Sequence, residues 1–501
     1  MKNKTGVCRA LLLVGMGLMI PCYLFTAGNT LLSPWPLYDR NRLALCLLTP
    51  LCLLLLLLLG RAAKAKVFET HERAVLLGFA AFYFVIQLVM ASALRFTPVT
   101  DLEQCVTAAR RLAQTGAFGD SERSLIYFGR YPHNMGLVYL LAGIFKAADA
   151  LGADELMAAA LVCGLLFSMG LLCAARLCRR LGGAQAQARA LLLFATCLPF
   201  LYCTSELYTD AFSVAFAPMI VFAFLKARDA GSRKERALWA LLFAVCTFFG
   251  AQIRFPTIIA AIACLIAALF EKRAKLTALL AAPLALVFAV GGSAVNAANK
   301  ANLGAANIAQ NKLPKLHYIA MGLPVQSDEG YGQYGYGGWL IFSTSFDDPQ
   351  ARDEALRQEV VDRAYTLARH PAQLLSTLSR KNLSTFGRGT FNLNEIFEAD
   401  AHEADNAVKQ VVFENGRFNR AYTHLATAMF VAQMALACIA CIQAIRRRDT
   451  RTAPLFLTLL GAFLFLSIWE TRARYFFQFM MILLCAGAMF ETPSTHTAQK
   501  A

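Results

Sequence analysis

Apolar runs recur along the chain at about 9–28, 42–60, 74–94, 155–175, 187–204, 211–225, 237–252, 255–270, 276–295, 423–445, 453–469 and 475–490. Many reach the roughly 18 apolar residues that a membrane-spanning helix needs. A thirteenth run, 135–149, is shorter and begins after Pro132, a residue suited to a helix N-terminus. The first run has no convincing small-residue cleavage site and a hairpin follows it, so it reads as retained rather than as a signal peptide.

Lysine and arginine orient these runs. They cluster at Lys2, Lys4 and Arg9; Arg61, Lys64, Lys66 and Arg73; Arg176, Arg179, Arg180 and Arg189; Lys226, Arg228, Arg233, Lys234 and Arg236; Lys272, Arg273 and Lys275; and Arg446, Arg447, Arg448 and Arg451. All six clusters fall on the cytoplasmic side only if 135–149 does not cross. That run is therefore expected to be interfacial or re-entrant. About twelve spanning helices remain, with both termini inside. The expected fold class is an all-α polytopic membrane protein. Its expected organisation is an N-terminal hairpin and loop (1–73), a transmembrane core (74–295) carrying an outer loop at 95–154, a long extracytoplasmic loop (296–420) and C-terminal helices with a tail (421–501).

The polar stretches between runs carry their own signals. Asp101 and Glu103 open an amphipathic helix over 102–115, where Asp101 suits an N-cap. Arg110 and Arg111 on that helix read as solvated or headgroup-bound. In the long loop, Asp347 and Asp348 can cap a helix from Pro349, and Pro371 starts a second that runs to about Phe386. The tract 329–339 is rich in Gly and Tyr, a composition suited to a flexible lid whose Tyr331, Tyr334, Tyr336 and Trp339 stack on a sugar or anchor in the interface. Lys312, Lys315 and His317 read as a headgroup-facing basic loop. The acidic tract 398–405 reads as a solvated surface.

Composition agrees with the pattern: 57% of the 501 residues are hydrophobic and the mean hydropathy is +0.49. The net charge of +16 is topological rather than a nucleic-acid footprint, because it sits in short loops without interleaved aromatics. The 15 cysteines lie almost entirely in or beside apolar runs and show no metal or disulfide spacing.

Charges recur at the outer ends of separate runs: Asp101 and Glu103; Glu206 and Asp210 in SELYTD; Arg254 before Pro256; Arg130, Tyr131 and His133 before the short run; and Glu470, Arg472, Arg474 and Tyr475 in WETRARYF. Ionisable groups at membrane depth are costly and mark functional sites. Arginines grip phosphate through paired hydrogen bonds, and a carboxylate can take an acceptor's proton. Arg254, Arg474 and Arg130 are the candidate phosphate ligands. Asp101, Glu103 and Asp210 are the candidate catalytic acids. Glu206, Tyr131, His133 and Tyr475 are candidate substrate contacts. Arg472 and Arg474 stand two apart, so only one of them is expected to face the site.

The order of an acid after an early helix, a YP element opening a short run, an acidic outer link and an R-x-R-Y element before the last helix resembles the GT-C membrane glycosyltransferases. The likeness is to the protein O-mannosyltransferase and aminoarabinose-transferase branch (family 39-like) and covers roughly residues 74–490. It implies transfer of a sugar from a polyprenyl-phosphate donor to a glycan, lipid or protein acceptor, at the outer face of a bacterial plasma membrane. By position, Asp101 corresponds to the first-loop base or metal ligand, Asp210 to the second-loop acid, and Arg474 with Tyr475 to the arginine motif. Asp101 and Glu103 would hold a divalent cation if one is used. The first loop reads Asp-Leu-Glu instead of adjacent acids, which leaves metal dependence open. The rival readings are a transporter, a lipid-linked glycan flippase or a glycan ligase.

Overall fold

The computed structural model describes residues 2–35, 37, 41–63, 65–119, 121–326, 329–393 and 405–491. Of the acidic tract at 398–405, only Asp405 is among them. The described residues contain helices and turns and no strands. In chain order the α-helices are α1 (Lys2–Leu32), α2 (Arg42–Ala62), α3 (Ala65–Ala93), α4 (Thr100–Thr115), α5 (Glu122–Arg130), α6 (Met135–Ala150) and α7 (Glu155–Ala195). They continue with α8 (Thr209–Ser213), α9 (Phe216–Asp229), α10 (Arg233–Ile253), α11 (Ile258–Phe270), α12 (Ala274–Leu303), α13 (Ala305–Asn311) and α14 (Lys315–Gly322). The last are α15 (Trp339–Thr344), α16 (Pro349–Arg369), α17 (Pro371–Phe386), α18 (Ala407–Val412), α19 (Asn419–Arg446), α20 (Ala453–Ile468) and α21 (Met480–Ala488).

Nine described helical segments are long and apolar enough to cross a membrane, and the segments Phe255–Phe270 and Ala473–Ala488 are shorter apolar helices. The protein is an all-α polytopic membrane protein. The two apolar runs expected at 155–175 and 187–204 meet in α7, which breaks at Gly182 and Gly183; Gly183 holds φ +74°, a conformation glycine adopts without steric cost. The second leg stops at Ala195, earlier than the run suggests, and short 3-10 turns at Leu198–Leu201 and Cys203–Ser205 carry the chain on.

Helix packing is sequence-local in part and long-range in part: α3 lies on α7, α9 on α10, and α2 and α1 on α19. The outward faces of α2 and α12 remain apolar and exposed, through residues such as Leu47, Leu51, Leu55, Leu286 and Val290. Hydrocarbon solvates such faces, and their backbone groups are satisfied within the helix. α10 shows how the ends are set. Ser232 accepts a hydrogen bond from the Glu235 amide at 3.1 Å and caps it among basic residues. Twenty-one residues later, about 31 Å along the axis, Arg254 leaves the helix in an extended conformation ahead of Pro256.

Asp101 follows α3, Arg254 follows α10, Asn299 lies in the last turns of α12 and Glu470 follows α20, each at the end of its helix remote from that helix's basic cluster. Arg95, just after α3, pairs with Asp154, and Arg110 of α4 pairs with Glu155 at the start of α7. Both pairs tie the C-terminal end of the short run to the segment after α3 and to α4, while its N-terminal end, at His133 and Asn134, lines the cavity at these helix ends. α6 packs against α10 so closely that a Cβ on Gly136 would lie 2.2 Å from the Gln252 carbonyl oxygen, beside Arg254.

The described residues between α12 and α19 hold more helix than their sequence suggests. α12 continues past the apolar run to Leu303, and α13 to α18 follow. Asp348 caps α16 by accepting from Gln350 and Ala351 amides at 3.0 and 3.2 Å, and Pro371 opens α17. A small apolar core of Leu313, Tyr318, Met321, Trp339 and Leu356 holds this layer together. The Gly/Tyr tract is pinned, not loose: buried Glu329 pairs with Arg363 and accepts the Val325 and Gln326 amides at 2.7 and 2.9 Å. Thr471 also donates its amide to Gly332 at 2.8 Å.

His317 does not face headgroups. It is buried, with Nδ1 2.7 Å from Ser343 Oγ. Burial, and secondarily the charge of Arg352, pushes its pKa down to about 4 from 6.5. The folded state therefore binds fewer protons than the unfolded state within that window. Stability is retained above pH 6.5 and lost as pH falls toward 4. Melting temperatures measured from pH 7 to 4 are expected to fall less steeply for His317→Gln than for the wild type; parallel curves would contradict this assignment.

Candidate active site

One cavity of about 1000 Å³ opens at the helix ends opposite the basic loops. Its wall includes Asp101, Glu103, Arg130, Tyr131, His133, Arg254, Arg474 and Tyr475. Eight of the ten expected site residues thus come together from α4, α5, the α10–α11 turn and the segment before α21. Seven cationic side chains line it against three carboxylates.

Asp101 is not an N-cap. α4 is preceded by Val99 and has no side-chain cap, and Thr100 is held at φ +52°. The carboxylate instead accepts the Tyr127 hydroxyl at 2.8 Å and lies 3.5 Å from the Tyr208 hydroxyl. Asn134 Nδ2 donates to the Tyr127 oxygen at 2.9 Å, which turns the tyrosine hydrogen toward Asp101. Leu207, beside Tyr208, also has positive φ, +51°. A non-glycine residue in this region costs on the order of 1–3 kcal/mol and tends to mark functional sites. Here two such residues place the two partners of one hydrogen bond.

The same turn explains two departures from expectation. Glu206 and Asp210 do not line the cavity. The strained turn at Leu207 leaves Glu206 buried on the far side, near Cys163, Cys203 and Tyr202. Asp210 is fully buried behind the wall, where Oδ1 lies 3.0 Å from Arg254 Nε and Oδ2 lies 3.4 Å from Arg474 Nε. Asp210 is therefore a positioning residue that holds two arginines together. Thr209 Oγ1 accepts a further bond from Arg254 at 2.7 Å. Arg254 stacks 4.3 Å over Tyr475 and Arg474 lies 5.4 Å over Tyr208. Planar arginines seated on rings and held by one carboxylate are pre-oriented for a bidentate anion.

Arg472 also lines the cavity, against the expectation that only one of the two arginines would. It is extended, and Ala473–Phe479 forms a 3-10 turn, so two-residue spacing does not separate them as it would on an α-helix. Arg472 donates to the Tyr334 carbonyl at 3.3 Å, and the Tyr334 hydroxyl lies 2.9 Å from that of Tyr131. Tyr318 stacks on Trp469 at 5.1 Å and 14°, an aromatic wall that no local motif announces. Arg110 lies outside the cavity in its pair with Glu155, whereas Lys312 and Lys315 are in the wall.

His133 lines the cavity with its side chain open to it. Desolvation, reinforced by Arg254, lowers its pKa to about 4, so the imidazole is neutral at pH 7. Burial raises the pKa of Glu470, whose carboxylate accepts the Tyr475 hydroxyl. Behind it, Lys381 is buried and donates to the Trp469 carbonyl at 2.7 Å and to the Gly322 carbonyl; burial lowers its pKa to about 7. Among the described residues, no group of three His, Cys, Asp or Glu is placed to hold a metal ion. Asp101 and Glu103 both line the cavity and supply two carboxylates.

The family described as "conserved hypothetical integral membrane protein" matches residues 42–495. The chain belongs to that family. Membership accounts for the polytopic architecture and assigns no reaction to the cavity. No curated protein matches the chain. Among solved structures, the crystal structure of ArnT from Cupriavidus metallidurans bound to undecaprenyl phosphate is similar over 83% of this chain and 77% of that one, with 12% identity and a TM-score of 0.35. Similarity at that level carries no argument about this family member's activity.

Proposed function

We propose that the protein is a membrane glycosyltransferase that moves a sugar from a polyprenyl-phosphate donor to an acceptor outside the cytoplasm. One observation carries this reading: the Asp101 carboxylate and the Asp210-bound pair Arg254 and Arg474 share one cavity, at the helix ends remote from the basic loops. By the positive-inside rule those ends face away from the cytoplasm, in our reading of a bacterial plasma membrane.

In this scheme the polyprenyl tail lies between lipid-facing helices, and its phosphate sits on Arg254 and Arg474, with Arg130 beside it. An acceptor hydroxyl attacks the anomeric carbon as the bond from that carbon to the phosphate oxygen breaks. The bonding pair leaves on the phosphate, and the hydroxyl proton passes to Asp101. Attack opposite the phosphate inverts the anomeric centre. The arginines stabilise charge growing on the leaving group, and the carboxylate acts as general base. Tyr131, Tyr334 and the Tyr318–Trp469 wall offer aromatic faces and hydroxyls to sugar rings. A divalent cation, where used, would take Asp101 and Glu103 as ligands and fill the remaining positions with phosphate and water, which suits magnesium-like coordination. The acceptor is a cell-envelope glycan, lipid or protein.

Purified protein incubated with a polyprenyl-phosphate sugar and a cell-envelope acceptor is expected to release polyprenyl phosphate and form a glycosylated product visible by mass spectrometry. Transport of the intact lipid in vesicles without cleavage of the sugar–phosphate bond would contradict the proposal.

A further inference from the structure

Resting on that reading of the cavity, we propose that it accommodates two phosphate groups at once, the second on Arg123, Arg130 and Lys312. α5 presents Arg123, Ile126, Tyr127 and Arg130 to the cavity, the i, i+3, i+4, i+7 face of one short helix. Lys312 ends α13 and is brought beside Arg130 because the Leu313 amide donates to the Arg130 carbonyl at 3.3 Å. A second bond, Asn307 Nδ2 to the Leu125 carbonyl at 2.8 Å, locks α13 against α5. These cations therefore occupy one rigid wall.

The two arginine groups differ in their counter-ions. Arg254 and Arg474 share Asp210, so one singly charged phosphodiester placed on them leaves that corner near neutrality. Among the described residues, no carboxylate is paired with the cavity-facing cations of the α5–α13 wall; Glu122 of α5 pairs with none of them. Asp101 and Glu103 share the cavity, yet among the described residues neither pairs with Arg123, Arg130 or Lys312. Cations held on one wall without a paired counter-ion repel one another. A second phosphate relieves that repulsion. Its source is either the second phosphate of a polyprenyl diphosphate donor or a phosphate carried by the acceptor.

Calorimetric titration of the purified protein separates these sources. The probes are polyprenyl monophosphate, polyprenyl diphosphate, and inorganic phosphate added to protein already saturated with the monophosphate. Arg123 and Lys312 are exposed within the cavity and lie outside the donor-phosphate contacts, so Arg123→Gln/Lys312→Gln should fold and test the second group alone. This double variant is expected to weaken one second-phosphate probe by about tenfold or more while leaving the monophosphate within about twofold. Selective loss of the diphosphate assigns the subsite to the donor, and selective loss of inorganic phosphate assigns it to the acceptor. Unchanged binding of all three probes, or equal weakening of all three, overturns the second subsite while the donor reading stands. Wild-type protein that binds no polyprenyl lipid overturns the glycosyltransferase reading as well.

Discussion

Asp101→Asn is expected to lower turnover of a polyprenyl-linked sugar by roughly 10²–10⁴-fold, with donor affinity and melting temperature close to wild type. The amide keeps an oxygen for the Tyr127 hydroxyl, whose hydrogen Asn134 already directs toward this position, so the local network survives. The amide cannot accept the acceptor's proton. The loss should thus appear in kcat, with KM for the donor little moved, since the phosphate is held elsewhere by Arg254 and Arg474. Activity of the variant within about threefold of wild type would remove Asp101 from the chemistry. A parallel collapse in Glu103→Gln that responds to added divalent cation would instead move both carboxylates into an ion site.

The helices and most site residues were legible because each rests on a local signal. Apolar run length located the spans, and the arginine clusters are the reason α6 is expected to return to the side it left. The prolines at 349 and 371 marked two helix starts in the loop. Arg254 was visible because it interrupts an apolar run just before Pro256. What sequence could not show is which way a side chain points after an irregular turn. Glu206 and Asp210 are four apart in one acidic link, yet the positive φ of Leu207 and the short helix after it bury both behind the wall. Asp101 looked like a cap because caps are local, whereas its real partners lie 26 and 107 residues away. Lys312, Lys315, Tyr318 and Trp469 join the cavity only through packing of the outer layer on the ends of α12 and α20, a tertiary fact without a periodic trace. The Gly/Tyr tract misled for a related reason. Composition records the glycines' backbone freedom, while the Glu329–Arg363 pair that removes it is set by a residue 34 positions on.

Asp210→Asn is expected to destabilise the protein by about 3–5 kcal/mol, because it leaves two half-buried arginines facing each other without their shared, fully buried carboxylate. The asparagine fills the same space, so the loss is electrostatic and not a cavity effect. Arg254 and Arg474 come from segments more than 200 residues apart, and the two ion pairs join the α10–α11 turn to the segment before α21 together with the Thr257–Gln478 hydrogen bond at 3.0 Å. The melting temperature should drop, and donor binding should weaken as the arginines separate. Two further measurements distinguish this from a general packing defect. Removing one of the repelling charges, in Asp210→Asn/Arg474→Gln, should recover part of the lost stability, a coupling expected only for groups in direct interaction. Adding polyprenyl monophosphate should raise the melting temperature of Asp210→Asn more than that of the wild type, because the phosphate supplies the missing negative charge. If the single variant melts with the wild type, the buried pairs hold nothing together. If the double variant is the sum of its parts, Asp210 acts through shape alone, and the arginines need another explanation for meeting at one point.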